Sequence, residues 1–147
     1  MVCVCSRKLC RYSELNSSLR APFKVTNMKI LIVDDAKAMR MIVRRTLRQA
    51  GVETERIDEA CNGKEALERI KEAPPDLILC DWNMPEMTGI ELLNELTKLG
   101  CKARFGFVTS EGTPQMLTAA HTAGARFVIT KPFTPESFRS AIDQALG

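Results

Sequence analysis

A doubly wound α/β fold, with one parallel sheet covered by helices on both faces, is predicted by three features of this sequence. Short apolar runs recur along the chain, each followed by a stretch whose apolar residues fall at helical spacing. The runs lack the polar–apolar alternation of a half-exposed sheet, so most of these strands should be buried on both faces. Gly, Pro and Thr-Pro signals separate the segments at short intervals, which favours direct β-α connections. Five such units in succession imply a five-stranded parallel sheet with right-handed crossovers.

The first strand is Ile30-Leu31-Ile32-Val33, and it runs straight into two carboxylates, Asp34 and Asp35. Two acids at the end of a buried strand repel each other and resist desolvation. Either Asp34 caps a helix, or a positive charge sits beside the pair. Met39, Ile42, Val43, Leu47 and Ala50 then mark the inward face of a helix that Gly51 ends. Arg56–Cys61 is half polar, as suits an edge strand. Asn62-Gly63 turns into a helix with Ala66, Leu67 and Ile70 inward, stopped by Pro74-Pro75. Leu77–Cys80 is fully apolar and meets Asp81. Thr88 caps a helix carrying Ile90, Leu92, Leu93 and Leu96, which ends at Gly100. Phe105–Val108 is the next buried run, followed by Thr109-Ser110. Thr113-Pro114 opens a helix with Leu117 and Ala120 inward, closed by Gly124. Phe127–Ile129 leads into Thr130-Lys131-Pro132, and Thr134-Pro135 opens a last helix with Phe138, Ala141 and Ile142 inward.

A chain of 147 residues with 45% hydrophobic and 27% charged residues can bury a core without staples. No apolar run is long enough to span a bilayer. The net charge of +3 is unevenly placed. Residues 1–27 hold Arg7, Lys8, Arg11, Arg20 and Lys24 against Glu14, which leaves 16 of the 21 basic and 17 of the 18 acidic residues for the remainder. That balance argues against a nucleic-acid-binding domain. Cys61, Cys80 and Cys101 are expected to pack as small hydrophobes in a reducing, cytoplasmic setting. Cys3, Cys5 and Cys10 lack a fourth ligand at zinc spacing. Residues 1–27 have neither the apolar core of a signal peptide nor hydrophobic periodicity. They are expected to form a disordered extension to one domain over residues 28–147.

Ligands of doubly wound sheets bind beyond the carboxyl ends of the strands. At those ends this sequence sets Asp34 and Asp35, Asp81, Thr109 and Lys131. Each alone has an ordinary explanation as a cap, a turn residue or a solvated side chain. Together they place three carboxylates, a hydroxyl and an ammonium on one edge. Carboxylate donors suit Mg²⁺, while no His/Cys cluster supports zinc and no close-spaced run of oxygens supports Ca²⁺. Asp81 can act as a nucleophile toward phosphorus and carry an aspartyl phosphate. Mg²⁺ and Lys131 would offset charge on the phosphoryl oxygens, and Thr109 would donate a hydrogen bond.

Val33–Asp35 (VDD), Asp81–Pro85 (DWNMP), Met87–Gly89 (MTG), Val108–Glu111 (VTSE) and Thr130–Phe133 (TKPF) together resemble the receiver domain of two-component response regulators. Trp82, Asn83 and Glu111 favour its chemotaxis, CheY-like branch. The resemblance covers residues 28–147 and implies a flavodoxin-like sheet in the order 2-1-3-4-5. It makes Asp81 the phosphoacceptor. Asp35, Asp81 and the backbone carbonyl of Asn83 become Mg²⁺ ligands, with Asp34 helping through water. Thr109 and Lys131 become the phosphoryl-binding pair. It further implies a monomeric, stand-alone signalling switch rather than an enzyme with a separate substrate. A histidine kinase would load it, and a flagellar motor switch protein and a phosphatase would be its partners. A phosphorelay intermediate serving a second histidine phosphotransfer protein is the alternative. A haloacid-dehalogenase-type phosphatase is more remote, because it needs an acid where Asn83 stands.

One departure from the family is Val128, where an aromatic switch residue often stands three places before the lysine; Phe127 beside it should face the other way. His121 and Arg44-Arg45 read as solvated, and Met39, Met41 and Met116 as packing or partner surface. Trp82 reads as a partly exposed ring over the site mouth. A chain beginning at Met28 is expected to keep the melting temperature and phosphorylation rate of the full chain, measured side by side; a large loss of either would show that residues 1–27 contribute to the domain.

Overall fold

The computed structural model describes residues 28–147; the expectations for residues 1–27, including Cys3, Cys5 and Cys10, lie outside the described residues. Between residues 28 and 147, each apolar run read above as a strand forms one. β1 (Met28–Val33), β2 (Thr54–Ala60), β3 (Leu77–Cys80), β4 (Arg104–Thr109) and β5 (Phe127–Thr130) alternate with α1 (Lys37–Gln49), α2 (Gly63–Glu72), α3 (Gly89–Lys98), α4 (Pro114–Ala123) and α5 (Pro135–Leu146). The strands pair in parallel in the order β2-β1-β3-β4-β5, as the resemblance implies. All four residues of β3, at the centre, are buried, whereas β2 at the edge buries only Ala60. Among the described residues no helix is long and apolar enough to cross a membrane.

Strand alternation divides the core into two layers. Ile30 and Ile32 of β1 pack with Val43 and Leu47 of α1 and with Phe138 and Ile142 of α5. Leu31 and Val33 face the other way, onto Ala66 and Ile70 of α2, Leu92 and Leu96 of α3, and Ala120 of α4. Phe127 and Val128 fall in opposite layers, as alternation predicts.

The helix starts follow the polar residues that precede them. Asn62 accepts the Glu65 N–H, Thr113 accepts the Met116 N–H, and Thr88 and Thr134 form reciprocal pairs with Glu91 and Ser137. α4 closes at Gly124, whose φ of 106° favours a residue without Cβ. α1 differs: its N-cap is Ala36, which supplies no side-chain bond. Asp34 is therefore not the helix cap that one reading of its position offered.

Four side chains depart from expectation. Ile42 is 48% exposed and Leu117 36% exposed. On α1 the inward stripe runs through Val43, Thr46 and Leu47, with the Thr46 hydroxyl donating to the Ile42 carbonyl. α4 buries only the small Ala120, which leaves Leu117 at the margin. Cys61 is exposed rather than packed, and its thiol donates to Glu65. Arg44 is half-buried rather than solvated, because it reaches β2.

Gly106 lies opposite Phe127 in the β4–β5 register, and a Cβ there would overlap the Phe127 ring. Gly106→Ala is expected to lower stability by about 1–3 kcal/mol, seen as a lower denaturant midpoint at unchanged slope. An unchanged midpoint would show that the ring moves aside freely.

Candidate acidic site at the carboxyl edge of the sheet

Parallel strands all end on the same edge, so their following residues meet there without any long-range sequence signal. β1 leads into Asp34-Asp35, β3 into Asp81 and β5 into Lys131, while β4 ends on Thr109 itself. Oxygens of Asp34, Asp35 and Asp81 all lie within 4.8 Å of one another. Lys131 Nζ stands 3.5 Å from Asp34 Oδ2 and 3.7 Å from Asp81 Oδ1. Of the two readings of the acid pair, this geometry supports the neighbouring positive charge.

The three acids differ in setting. Asp34 is 5% exposed, and its Oδ1 accepts the Ala36 N–H at 2.8 Å. Asp81 is half-buried, and its Oδ1 accepts the Trp82 N–H at 2.9 Å. No hydrogen-bond donor among the described residues reaches Asp81 Oδ2. Asp35 is exposed at the rim. Burial pushes the pKa of Asp34 and of Asp81 above the ordinary aspartate value. For Asp34 the Ala36 N–H and then Lys131 work against that rise; for Asp81 Lys131 is the main opposing influence, and neighbouring Asp34 adds to the rise. Three carboxylates against one ammonium leave room for a hard cation with oxygen ligands, so the residues present fit Mg²⁺.

Thr109 is buried at the end of β4, where its Oγ1 accepts the Glu111 N–H at 3.2 Å and its carbonyl accepts the Lys131 N–H at 2.8 Å. No hydrogen bond joins its hydroxyl to the carboxylates. Asn83 is exposed in the loop after β3. His121 is exposed on α4, as expected. The Trp82 ring is only partly exposed, but it leans inward: its centroid lies 4.7 Å from that of Phe107.

The structure supplies a reason for Gly89, which the sequence offered only as part of a motif, and adds a pair of residues that carried no signal. Gly89 begins α3 where a Cβ would collide with the Asp81 carbonyl and the Phe107 ring, and its N–H donates to the Trp82 carbonyl. Arg40 and Glu59 pair behind the acid turn, and neither carried a signal.

A raised aspartate pKa means that the folded state holds the proton more tightly than the unfolded chain. Stability then falls as pH rises from the unfolded value through the folded one. In EDTA at pH 7, Asp81→Asn is expected to melt a few degrees above wild type, a gain of about 1 kcal/mol. The gain should vanish near pH 3, where wild type is itself protonated. A variant that melts lower at pH 7 would mean that the charged carboxylate stabilises the metal-free fold.

The model of the family described as response regulator receiver domain matches residues 30–143. Chemotaxis protein CheY of Thermotoga maritima is 39% identical over 116 residues, covering 79% of this chain and 95% of its own length. Chemotaxis protein CheY of Bacillus subtilis is 41% identical over 119 residues, covering 81% and 98%. The solved structure of chemotaxis response regulator CheY4 of Vibrio cholerae superposes with a TM-score of 0.71 at 32% identity, covering 82% of this chain and 99% of that one. Receiver domains typically bind Mg²⁺ in an acidic pocket, and the acid cluster lies where strand order reverses between β1 and β3. By matched length, identity and sheet order, this chain belongs to the response regulator receiver domains, signalling switches of the CheY type.

Proposed function

We propose that this receiver is switched by phosphorylation of Asp81, with a histidine kinase as donor and chemotaxis as its setting. The observation that carries the proposal is the Lys131 ammonium lying between Asp34 and Asp81 at the edge where three carboxylates meet. The relatives named chemotaxis protein support the setting.

In the proposed reaction Asp81 Oδ2, which no donor among the described residues reaches, attacks the phosphorus of a phosphohistidine. The new O–P bond forms as the N–P bond breaks, and the imidazole nitrogen takes back its electron pair. Asp81 Oδ1 stays engaged by the Trp82 N–H, which fixes the carboxylate plane during attack. Asp34, Asp35 and Asp81, with the Asn83 carbonyl, would hold Mg²⁺, which supplies neutralisation of the phosphoryl oxygens when bound. Lys131 is near enough to shift from Asp81 Oδ1 to a phosphoryl oxygen. The Thr109 hydroxyl, which accepts the Glu111 N–H, can turn to donate to that group. Its movement and that of Lys131 would reshape the face formed by α4, β5 and α5. A flagellar motor switch protein is the proposed reader of that face, and a phosphatase would reset it.

Full-length protein incubated with acetyl phosphate and Mg²⁺ is expected to gain a single phosphoryl group by intact mass, and Asp81→Asn none. EDTA should suppress the gain in wild type. Stoichiometric labelling of Asp81→Asn at the wild-type rate would refute the acceptor assignment.

A further inference from the structure

We infer that Arg40 is a positioning residue for the acidic site: it fixes the peptide between Asp34 and Asp35, acting through the main chain rather than through its charge. The inference rests on the proposal that these acids bind Mg²⁺.

The turn from β1 into α1 carries two of the three carboxylates, yet α1 has no side-chain cap to hold its start. Arg40, one turn into the helix, does the holding. Its Nη1 donates to the Asp34 carbonyl at 2.7 Å, and its Nε donates to Glu59 Oε2 at 3.0 Å. The other Glu59 oxygen takes Arg44 Nη2 at 2.9 Å, and the same Nη2 donates to the Ile57 carbonyl at 3.0 Å. The Arg40 side chain is only 13% exposed. One guanidinium therefore ties the acid turn to edge strand β2, while a second arginine secures the glutamate it leans on.

The carbonyl that Arg40 grips belongs to the peptide linking Asp34 to Asp35. Holding that plane sets the two side chains relative to each other. The Asp34 N–H is fixed as well, donating to the Ala60 carbonyl at 3.2 Å. Asp34 is thus held on both sides of its Cα, and its Oδ1 is fixed by Ala36. Only Oδ2 is left, and it faces Lys131. A lysine at position 40 would keep the charge but lacks the planar fork that spans a carbonyl and a carboxylate together.

Charge and geometry predict opposite signs here. Removing a cation from beside an acidic site should, by electrostatics alone, tighten binding of Mg²⁺. Removing a support that orients ligating groups should weaken it, commonly 10–100-fold. Titration calorimetry of the full chain with Mg²⁺ alone separates the two. Arg40→Lys and Arg40→Gln are both expected to weaken Mg²⁺ binding by about tenfold or more. Arg48→Gln, which removes an equal charge from the exposed face of α1, should stay within about twofold of wild type. In EDTA, backbone amides of Asp35 and Ala36 should exchange hydrogen faster in the Arg40 variants. Glu59→Gln, which leaves Arg40 in place but loosens its anchor, should weaken Mg²⁺ binding in the same direction by less, and it decides the matter if the Arg40 variants do not fold. Arg40 variants that bind Mg²⁺ as tightly as wild type, or more tightly, overturn the inference while the acidic-site reading stands. A lowered melting temperature with unchanged Mg²⁺ affinity overturns it equally, since it reduces Arg40 to a structural tie. A wild-type titration showing no binding removes the acidic-site reading and this inference with it.

Discussion

Three carboxylates share one end of this sheet, and the Lys131 ammonium between two of them is what makes their company tolerable. A lone acid buried at a strand end would be neutralised by protonation or expelled. Here Asp34 stays buried because its two oxygens have separate partners, a backbone N–H on one side and Lys131 on the other. The rest of the edge is arranged around this balance. β5 carries Lys131 to the site only because the Lys131 N–H bonds to the Thr109 carbonyl, which ties the ends of β4 and β5 together. Asp81 reaches it because its own N–H bonds to the Val33 carbonyl, which ties β3 to β1. The electrostatic centre and the strand register are therefore one construction. A slip of any of these strands by one residue would turn the wrong side chain into the site.

Much of this was legible in the sequence, for a topological reason. Strands such as Leu77–Cys80 are apolar throughout because both faces are covered, and that property shows in four consecutive letters. Once the sheet is parallel, the residue after each run must reach the same edge, so Asp34, Asp35, Asp81, Thr109 and Lys131 could be grouped without knowing a single contact. What stayed hidden depended on neighbours. The helical pattern of α1 put Ile42 on the inward face, whereas packing beneath the helix buries Thr46 and leaves Ile42 exposed. Arg40 and Glu59 are 19 positions apart on a helix and an edge strand, and each reads locally as a solvated charge. Gly89 owes its place to the Asp81 carbonyl and the Phe107 ring, which would collide with a Cβ there, and no spacing rule reveals that.

The aromatic residues show how the site joins the interior. Trp82 follows Asp81 directly and rests on Phe107, whose ring in turn meets Phe105 edge-on at 5.0 Å. Phe107 pairs in register with Val128, at the position where the family often carries an aromatic side chain. Phe105 and Phe107 of the fourth strand sit in the same core layer as α3 and α4, and Val128 of the fifth strand packs against that layer. A buried phenyl ring is held by close packing on all sides and has less freedom to swing outward than a ring at a surface groove.

The polar make-up of β2 bears on how copies of this chain behave when they crowd together. An edge strand presents free N–H and C=O groups on one side, and a second chain can extend the sheet there. In β2, Glu55 and Arg56 are exposed, and Arg56 pairs with the partly exposed Asp58. An approaching strand would have to strip water from this row of charges before making its first backbone bond. The edge strand thus acts as a selvage, closing the sheet against further growth while its inner side pairs with β1 in continuous register from Arg56 to Ala60.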